Sequence, residues 1–209
     1  MTKELVIVFV KNIKLGKVKT RLAKTIGNQG AFDVYSELVK VTERATNNII
    51  TDKRIYFSEA IEDSLWKNDE KGVQKGTSLG ERMKNAFKKG FDDGYNRIVL
   101  IGSDLPDISS EQIESGLIAL KNDKVVFGPA LDGGYYLIGL SEFKPCVFKN
   151  KPWSDSLLLE VTLNELRQND ISFSLLDPLN DIDTFEDLLA SKFYQSNLKL
   201  QQKIKQLND

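Results

Sequence analysis

Asp104, Asp132, Asp181 and Asp183, together with a lysine-rich loop near the amino end, are the residues of this chain best suited to chemistry. The sequence has no histidine, which removes Ser-His and Cys-His triads, histidine proton shuttles and the usual zinc sites. Carboxylates, Lys, Arg, hydroxyls, backbone amides and a hard cation are what remain. Asp104 follows the apolar run Ile98-Val99-Leu100-Ile101, which reads as a strand buried on both faces. The run stops at Gly102-Ser103, and Pro106 prevents the ladder from continuing. In an open parallel sheet, ligands bind in the crevice beyond the carboxyl ends of the strands. An acid there is either a turn former or a ligand for a metal or a hydroxyl.

A second apolar run, Leu5 to Val10, empties into a segment carrying Lys11, Lys14, Lys17, Lys19 and Arg21 without a single acid. A basic loop with Gly16, placed after a buried strand, can grip phosphates through ammonium, guanidinium and backbone N–H groups. Alternatively it is a solvated charged loop. It is not a Walker loop, because GxxxxGK[ST] is absent.

Three further segments carry candidates. Ser78 and Glu81 form a capping box that starts a helix, and Gly76 and Gly80 let backbone approach a ligand there. Capping accounts for Ser78 and Glu81, but Arg82 on the first turn opposes the helix dipole. Asp132-Gly133-Gly134 between two β-type runs is a turn signal, and a loop of this kind can pass close to a sugar or nucleotide. Asp181 and Asp183 alternate along an extended segment, so both carboxylates can point at one cation; ordinary acidity at a helix start explains them equally.

The elements that must position these residues follow from periodicity. Strands are predicted at 5–10, 54–58, 97–101, 125–127, 135–140 and 172–176, with helices at 31–50, 79–91, 109–120 and 156–169. A weakly helical stretch is predicted at 60–71, with Trp66 in a packing role, and a peripheral polar helix at 196–209. Leu79, Met83, Ala86, Phe87 and Phe91 form the predicted inward stripe of the second helix, and Leu158, Val161 and Leu166 that of the fourth. At 209 residues without an internal repeat or linker, one α/β domain spanning 1–209 is the simplest organisation. Net charge −1 and a pI of about 5.7 argue against a general nucleic-acid or membrane-surface binder. A single cysteine, Cys146, permits no internal disulfide and fits a reducing, cytoplasmic setting. The opening apolar run is too short for a signal peptide or a membrane span.

Taken in order, Gly16-Lys17-Val18-Lys19-Thr20-Arg21-Leu22, Gly80-Glu81-Arg82-Met83, Gly102-Ser103-Asp104-Leu105-Pro106, Gly128-Pro129-Ala130 with Asp132-Gly133-Gly134-Tyr135-Tyr136, Trp153-Ser154 and Asp181-Ile182-Asp183-Thr184 form a pattern. On these residues the chain resembles the DUF2064 family of bacterial proteins. That family is related to the nucleotidyltransferases that guanylylate molybdenum cofactor and 2-phospho-L-lactate. The chain departs from the family pattern at Ile13, Thr77-Ser78, Leu105 and Asp155.

The resemblance implies a GT-A-like nucleotide-diphospho-sugar transferase fold, a three-layer α/β/α arrangement with a mixed sheet. It also implies a transferase that uses an activated nucleotide and Mg²⁺ or Mn²⁺. Asp104 would hold the cation, with Asp181 or Asp183 completing the site. Lys11, Lys17, Lys19, Arg21, Gly80, Arg82, Ser103, Gly133 and Gly134 would contact the nucleotide and its phosphates. Asp132 would orient or deprotonate the acceptor. Glycosyl transfer from a nucleotide-diphospho-sugar is the first reading, because the loop after the first strand has one glycine and many lysines rather than the glycine-rich LxGGxxxRxG form. Nucleotidyl transfer from a nucleoside triphosphate to a phosphorylated small molecule is the second, and a non-catalytic nucleotide-binding module the third. The partners are then a nucleotide-sugar or nucleoside triphosphate and a small-molecule acceptor, with neither nucleic acid nor membrane.

Overall fold

The computed structural model describes residues 3–208; Met1, Thr2 and Asp209, which the single-domain reading takes in, lie outside the described residues. Strand β1 (Glu4–Val10) lies in mid-sheet, and its alternation assigns each side chain to a layer. Leu5, Ile7 and Phe9 join one core, while Val6, Val8 and Val10 join the other. β1 pairs in parallel with β2 (Asp52–Phe57) and β4 (Arg97–Ile101), and β3 (Glu70–Val73) extends the sheet beyond β2. On the far side β4 pairs antiparallel with β6 (Tyr135–Leu140), followed by β5 (Val125–Pro129) and β7 (Phe173–Leu175). The order is β3-β2-β1-β4-β6-β5-β7, a mixed sheet in which the turn carrying Asp132 reverses the chain.

Helices cover both faces. The valine face of β1 is covered by α1 (Ala23–Asn47) and α3 (Ser110–Ala119), through Tyr35, Val39, Ile113 and Leu117. The opposite face packs on α2 (Leu79–Asp92), a 3-10 turn at Pro145–Phe148 and α4 (Leu158–Gln168), through Met83, Phe87, Phe148 and Leu166. The expected three-layer α/β/α arrangement is therefore present. Among the described residues no helix is long and apolar enough to cross a membrane.

Three expectations need correction. The 60–71 stretch is not a helix; it makes turns and then the edge strand β3. The cause is Trp66, almost fully buried with a left-handed φ of 43°, donating its indole N–H to Thr46 Oγ1 at 2.8 Å. Helical backbone would forgo that burial. The first helix begins at Ala23, not Ala31, because it continues across a kink at Gly27 (φ 72°, ψ 166°). Leu79 is 48% exposed and Val161 40% exposed, the former at the rim of the cleft described below. The last segments pack against the first helix. After α5 (Phe185–Ala190) and α6 (Lys192–Gln195), α7 (Leu198–Asn208) lies outside the main layers but buries Leu200 and Ile204. Their partners include Ile26, Val34 and Leu38 of α1 and Ile182, so this third core anchors the Asp181–Asp183 segment against the first helix.

Candidate active site

Two loops converge beyond the carboxyl ends of β1 and β4. After β1 the chain is pinned by Asn12, whose buried amide oxygen accepts from Glu59 N at 2.8 Å and whose amide nitrogen donates to Ala60 O at 2.7 Å. Val18 and Leu22 are buried to either side of Lys19, which draws the Lys19 side chain inward on a left-handed residue (φ 45°). After β4, Ser103 is buried and shares a 2.8 Å hydrogen bond with Tyr35 Oη, which also accepts from Lys11 N at 3.0 Å. Tyr35 thereby ties the two loops together, and burial pushes its hydroxyl up to about 12.

Asp104 meets the first loop directly. Lys19 Nζ donates to Asp104 Oδ2 at 3.0 Å and to Asp183 Oδ1 at 3.3 Å, and Arg21 reaches Asp183 Oδ2 at 3.2 Å. Gly102 leaves space for this, because a Cβ there would stand 3.0 Å from Asp104 Oδ1. Asp183 is presented by the cap of α5. The Asp187 carboxylate accepts from Asp183 N at 3.1 Å and Thr184 N at 2.7 Å, part of the capping box that Thr184 and Asp187 form at the helix start. Although burial pushes Asp187 upward, the bonds from Thr184 hold it below the usual carboxylate range.

The Lys19 side chain is only 5% exposed. Burial alone would lower its pKa, but Asp104, Asp183 and Asp181 outweigh burial and raise it, so the ammonium is charged. Asp181 shows the opposite balance. Burial, then Asp104, Asp183 and Asp132, push its carboxyl up to about 6 against the pull of Lys19. Among the described residues no three acids are gathered into a ready metal cage.

Beside this cluster is a cleft of about 560 Å³. Its lining carries four cations (Lys11, Lys19, Arg21, Arg82) against two acids (Asp104, Asp183), with Phe9, Leu79, Ser58 and Gln74 among the remaining walls. Arg82 reaches back to the segment before its own helix, donating to Gly76 O at 3.1 Å and to Gln74 Oε1 at 3.4 Å. Gln74 donates in turn to Tyr56 O at 3.0 Å.

Of the residues singled out from sequence, the fold thus brings Lys11, Lys19, Arg21, Arg82, Ser103, Asp104 and Asp183 to one cleft. Lys17 is not among its walls; it is exposed on a turn closed by its N–H to Lys14 O at 3.0 Å. Gly80 serves packing, since a Cβ there would stand 2.6 Å from the Trp153 ring. Gly133 has φ 90°, and a Cβ would fall 1.9 Å from Ser156 O, so its bareness admits the backbone before α4. Asp132 is exposed, and its Oδ1 accepts from Gly134 N at 2.9 Å. Asp181 faces a neighbouring hollow with Pro106 and Asp107. The sequence reading missed Asn12, Tyr35 and Gln74. Asn12 and Tyr35 carried signals, a lone amide among lysines and a tyrosine within an apolar helical stripe; Gln74 carried none.

The comparisons with known proteins agree with this architecture. Residues 42–155 match the family described as "Uncharacterized protein conserved in bacteria (DUF2064)". A solved protein from Desulfovibrio desulfuricans G20, described as a "putative nucleotide-diphospho-sugar transferase", is 32% identical over 99% of both chains, with a TM-score of 0.86. A nucleotidyl transferase from Methanothermobacter is 12% identical with a TM-score of 0.64, covering 94% of this chain and all of that one. The 4-diphosphocytidyl-2C-methyl-D-erythritol synthase of Anaerococcus prevotii DSM 20548 is 14% identical with a TM-score of 0.59, covering 93% of this chain and 99% of that one. At such identities these two share the fold alone. No curated protein matches the chain.

Proposed function

Because the chain belongs to the DUF2064 family, we propose that its cleft works as a metal-dependent transferase site for an activated nucleotide, with glycosyl transfer from a nucleotide-diphospho-sugar as the reaction. The observation that carries this reading is the convergence of Lys19, Arg21, Asp104 and Asp183, from opposite ends of the chain, at the carboxyl ends of the central strands. Four cations against two acids in the walls suit a diphosphate. The "putative nucleotide-diphospho-sugar transferase" from Desulfovibrio desulfuricans G20 supports the sugar version.

A divalent cation fits the donor set. Asp104 and Asp183 offer only oxygen, and Mg²⁺ commonly takes one or two protein carboxylates together with substrate phosphates. When bound, Mg²⁺ or Mn²⁺ supplies neutralisation of the diphosphate. The chain's own residues do the rest. Lys19, Arg21 and Lys11 hold the phosphates and offset charge as the nucleoside diphosphate departs. The acceptor oxygen attacks the anomeric carbon, the bond from that carbon to the diphosphate oxygen breaks, and the acceptor's proton passes to a carboxylate. The carboxylate we assign to that proton is Asp132, on the turn before β6 outside the cleft walls, where its charge is felt by Asp181.

Nucleotidyl transfer is the second reading, favoured by the same cationic walls, which suit a triphosphate equally. An assay over sugar nucleotides and nucleoside triphosphates with an acceptor panel and Mn²⁺ tests both. Released nucleoside diphosphate supports the first reading and released pyrophosphate the second. Binding without turnover on any combination leaves a nucleotide-binding module and overturns both.

A further inference from the structure

We propose that Lys19 is the resident counter-ion of the Asp104–Asp183 pair, and that a divalent cation gains these carboxylates only when a nucleotide phosphate draws the ammonium away. The inference rests on the metal-dependent reading above and adds an order of binding to it. Lys19 Nζ is within 3.3 Å of both Asp104 Oδ2 and Asp183 Oδ1, and Arg21 takes the second oxygen of Asp183 at 3.2 Å. Asp104 and Asp183 are thus matched by the buried Lys19 ammonium and the more exposed Arg21 guanidinium. A metal ion arriving alone would have to displace the ammonium from oxygens it already holds.

The placement of Lys19 is built into the fold. Its backbone is left-handed and its flanking residues Val18 and Leu22 are buried, and a non-glycine residue persists in that conformation only where its surroundings impose it. Yet the same ammonium lines the cleft together with Lys11, Arg21 and Arg82, so an incoming diphosphate competes with the carboxylates for it. Phosphate takes the lysine and the vacated carboxylates take the cation. By linkage each ligand then strengthens the other equally.

The test is Mn²⁺ binding, followed by the electron paramagnetic resonance signal of the free ion, with and without saturating uridine, guanosine, cytidine or adenosine diphosphate. Wild-type protein is expected to bind Mn²⁺ at least tenfold more tightly in the presence of the diphosphate that it accepts. Lys19→Met, which keeps the aliphatic bulk and removes the charge, is expected to bind Mn²⁺ alone at least tenfold more tightly than wild type. Its metal-free melting temperature should be lowered and partly restored by Mn²⁺. Wild type that binds Mn²⁺ equally well with and without every diphosphate overturns the coupling while leaving a metal-dependent transferase intact. A folded Lys19→Met with wild-type Mn²⁺ affinity overturns it as well. Should the variant fail to fold, the wild-type comparison decides alone. Absence of Mn²⁺ binding under every condition overturns both the coupling and the metal-dependent reading.

Discussion

Lys19 Nζ stands 3.0 Å from Asp104 Oδ2 across 85 residues of sequence, and that one contact joins the loop after β1 to the loop after β4. The adjoining contact to Asp183 brings in the carboxyl-terminal part of the chain. The site is therefore a product of tertiary structure, made where two neighbouring parallel strands end.

Asp104→Asn separates a functional acid from a turn former. The amide still accepts a hydrogen bond from Lys19, and Lys19 retains Asp183. Turnover is expected to fall by roughly 10²–10³, the usual effect of removing one preorganised electrostatic contact, and divalent-dependent nucleotide binding should be lost. The metal-free melting temperature should stay close to wild type. A large drop in that temperature would make Asp104 a structural residue.

Arg21 is 70% exposed at its side chain and, among the described residues, pairs with the partly exposed Asp183 alone. Arg21→Ala should therefore change unfolding free energy by no more than about 0.5 kcal/mol. Nucleotide affinity should nevertheless weaken, and its decline with added salt should become shallower. Calorimetric titration at several NaCl concentrations reads both effects. Unaltered affinity and salt dependence would remove Arg21 from the phosphate cradle.

Asp181 gives a pH dependence of defined sign. Its folded carboxyl is pushed up to about 6 by burial and the surrounding acids, whereas an unfolded Asp titrates near 3.9. Between those values the folded state binds more protons. The contribution of this group to stability is full below about 4 and is lost as pH rises through about 6. Asp181→Asn should then melt higher than wild type at pH 7.5, with the difference vanishing near pH 4. Thermal scans across that range check it; an equal offset at both ends would contradict the assignment.

Gly133→Ala tests the close approach of the Asp132 turn to the segment before α4. The added methyl would meet Ser156 O, and the residue sits at φ 90°. Strained backbone of this kind costs on the order of 1–3 kcal/mol before any clash, so a loss of at least about 2 kcal/mol is expected in urea unfolding. A variant within about 0.5 kcal/mol of wild type would show that the turn yields freely.

Much of this arrangement was legible in the sequence for physical reasons. Leu5–Val10 and Ile98–Ile101 had to be buried strands, because short apolar runs closed by loop signals have few other homes. Asp104, Lys19, Arg21 and Asp183 could be named because each carries charge next to such a strand end or a helix cap. What periodicity could not show was the partnership. Lys19 looked like one lysine among several until the burial of Val18 and Leu22 turned it inward, while Lys17, two residues away, stayed in solvent. Tyr35 was hidden inside a helical stripe, because a hydroxyl that bridges two loops leaves no local pattern. The glycines misled in a consistent way: Gly80 and Gly133 looked suited to a ligand but make room for Trp153 and Ser156. Trp66 overrode the weak helical pattern around it by its own burial.

The most direct test of the site is a crystal grown with Mn²⁺ and the nucleoside diphosphate that binds best, measured at a wavelength where manganese scatters anomalously. The result expected is an anomalous peak against Asp104 and Asp183, with the diphosphate lying along Lys11, Lys19 and Arg21. Nucleotide bound elsewhere, or Mn²⁺ absent from these two aspartates while the nucleotide is in place, would contradict it.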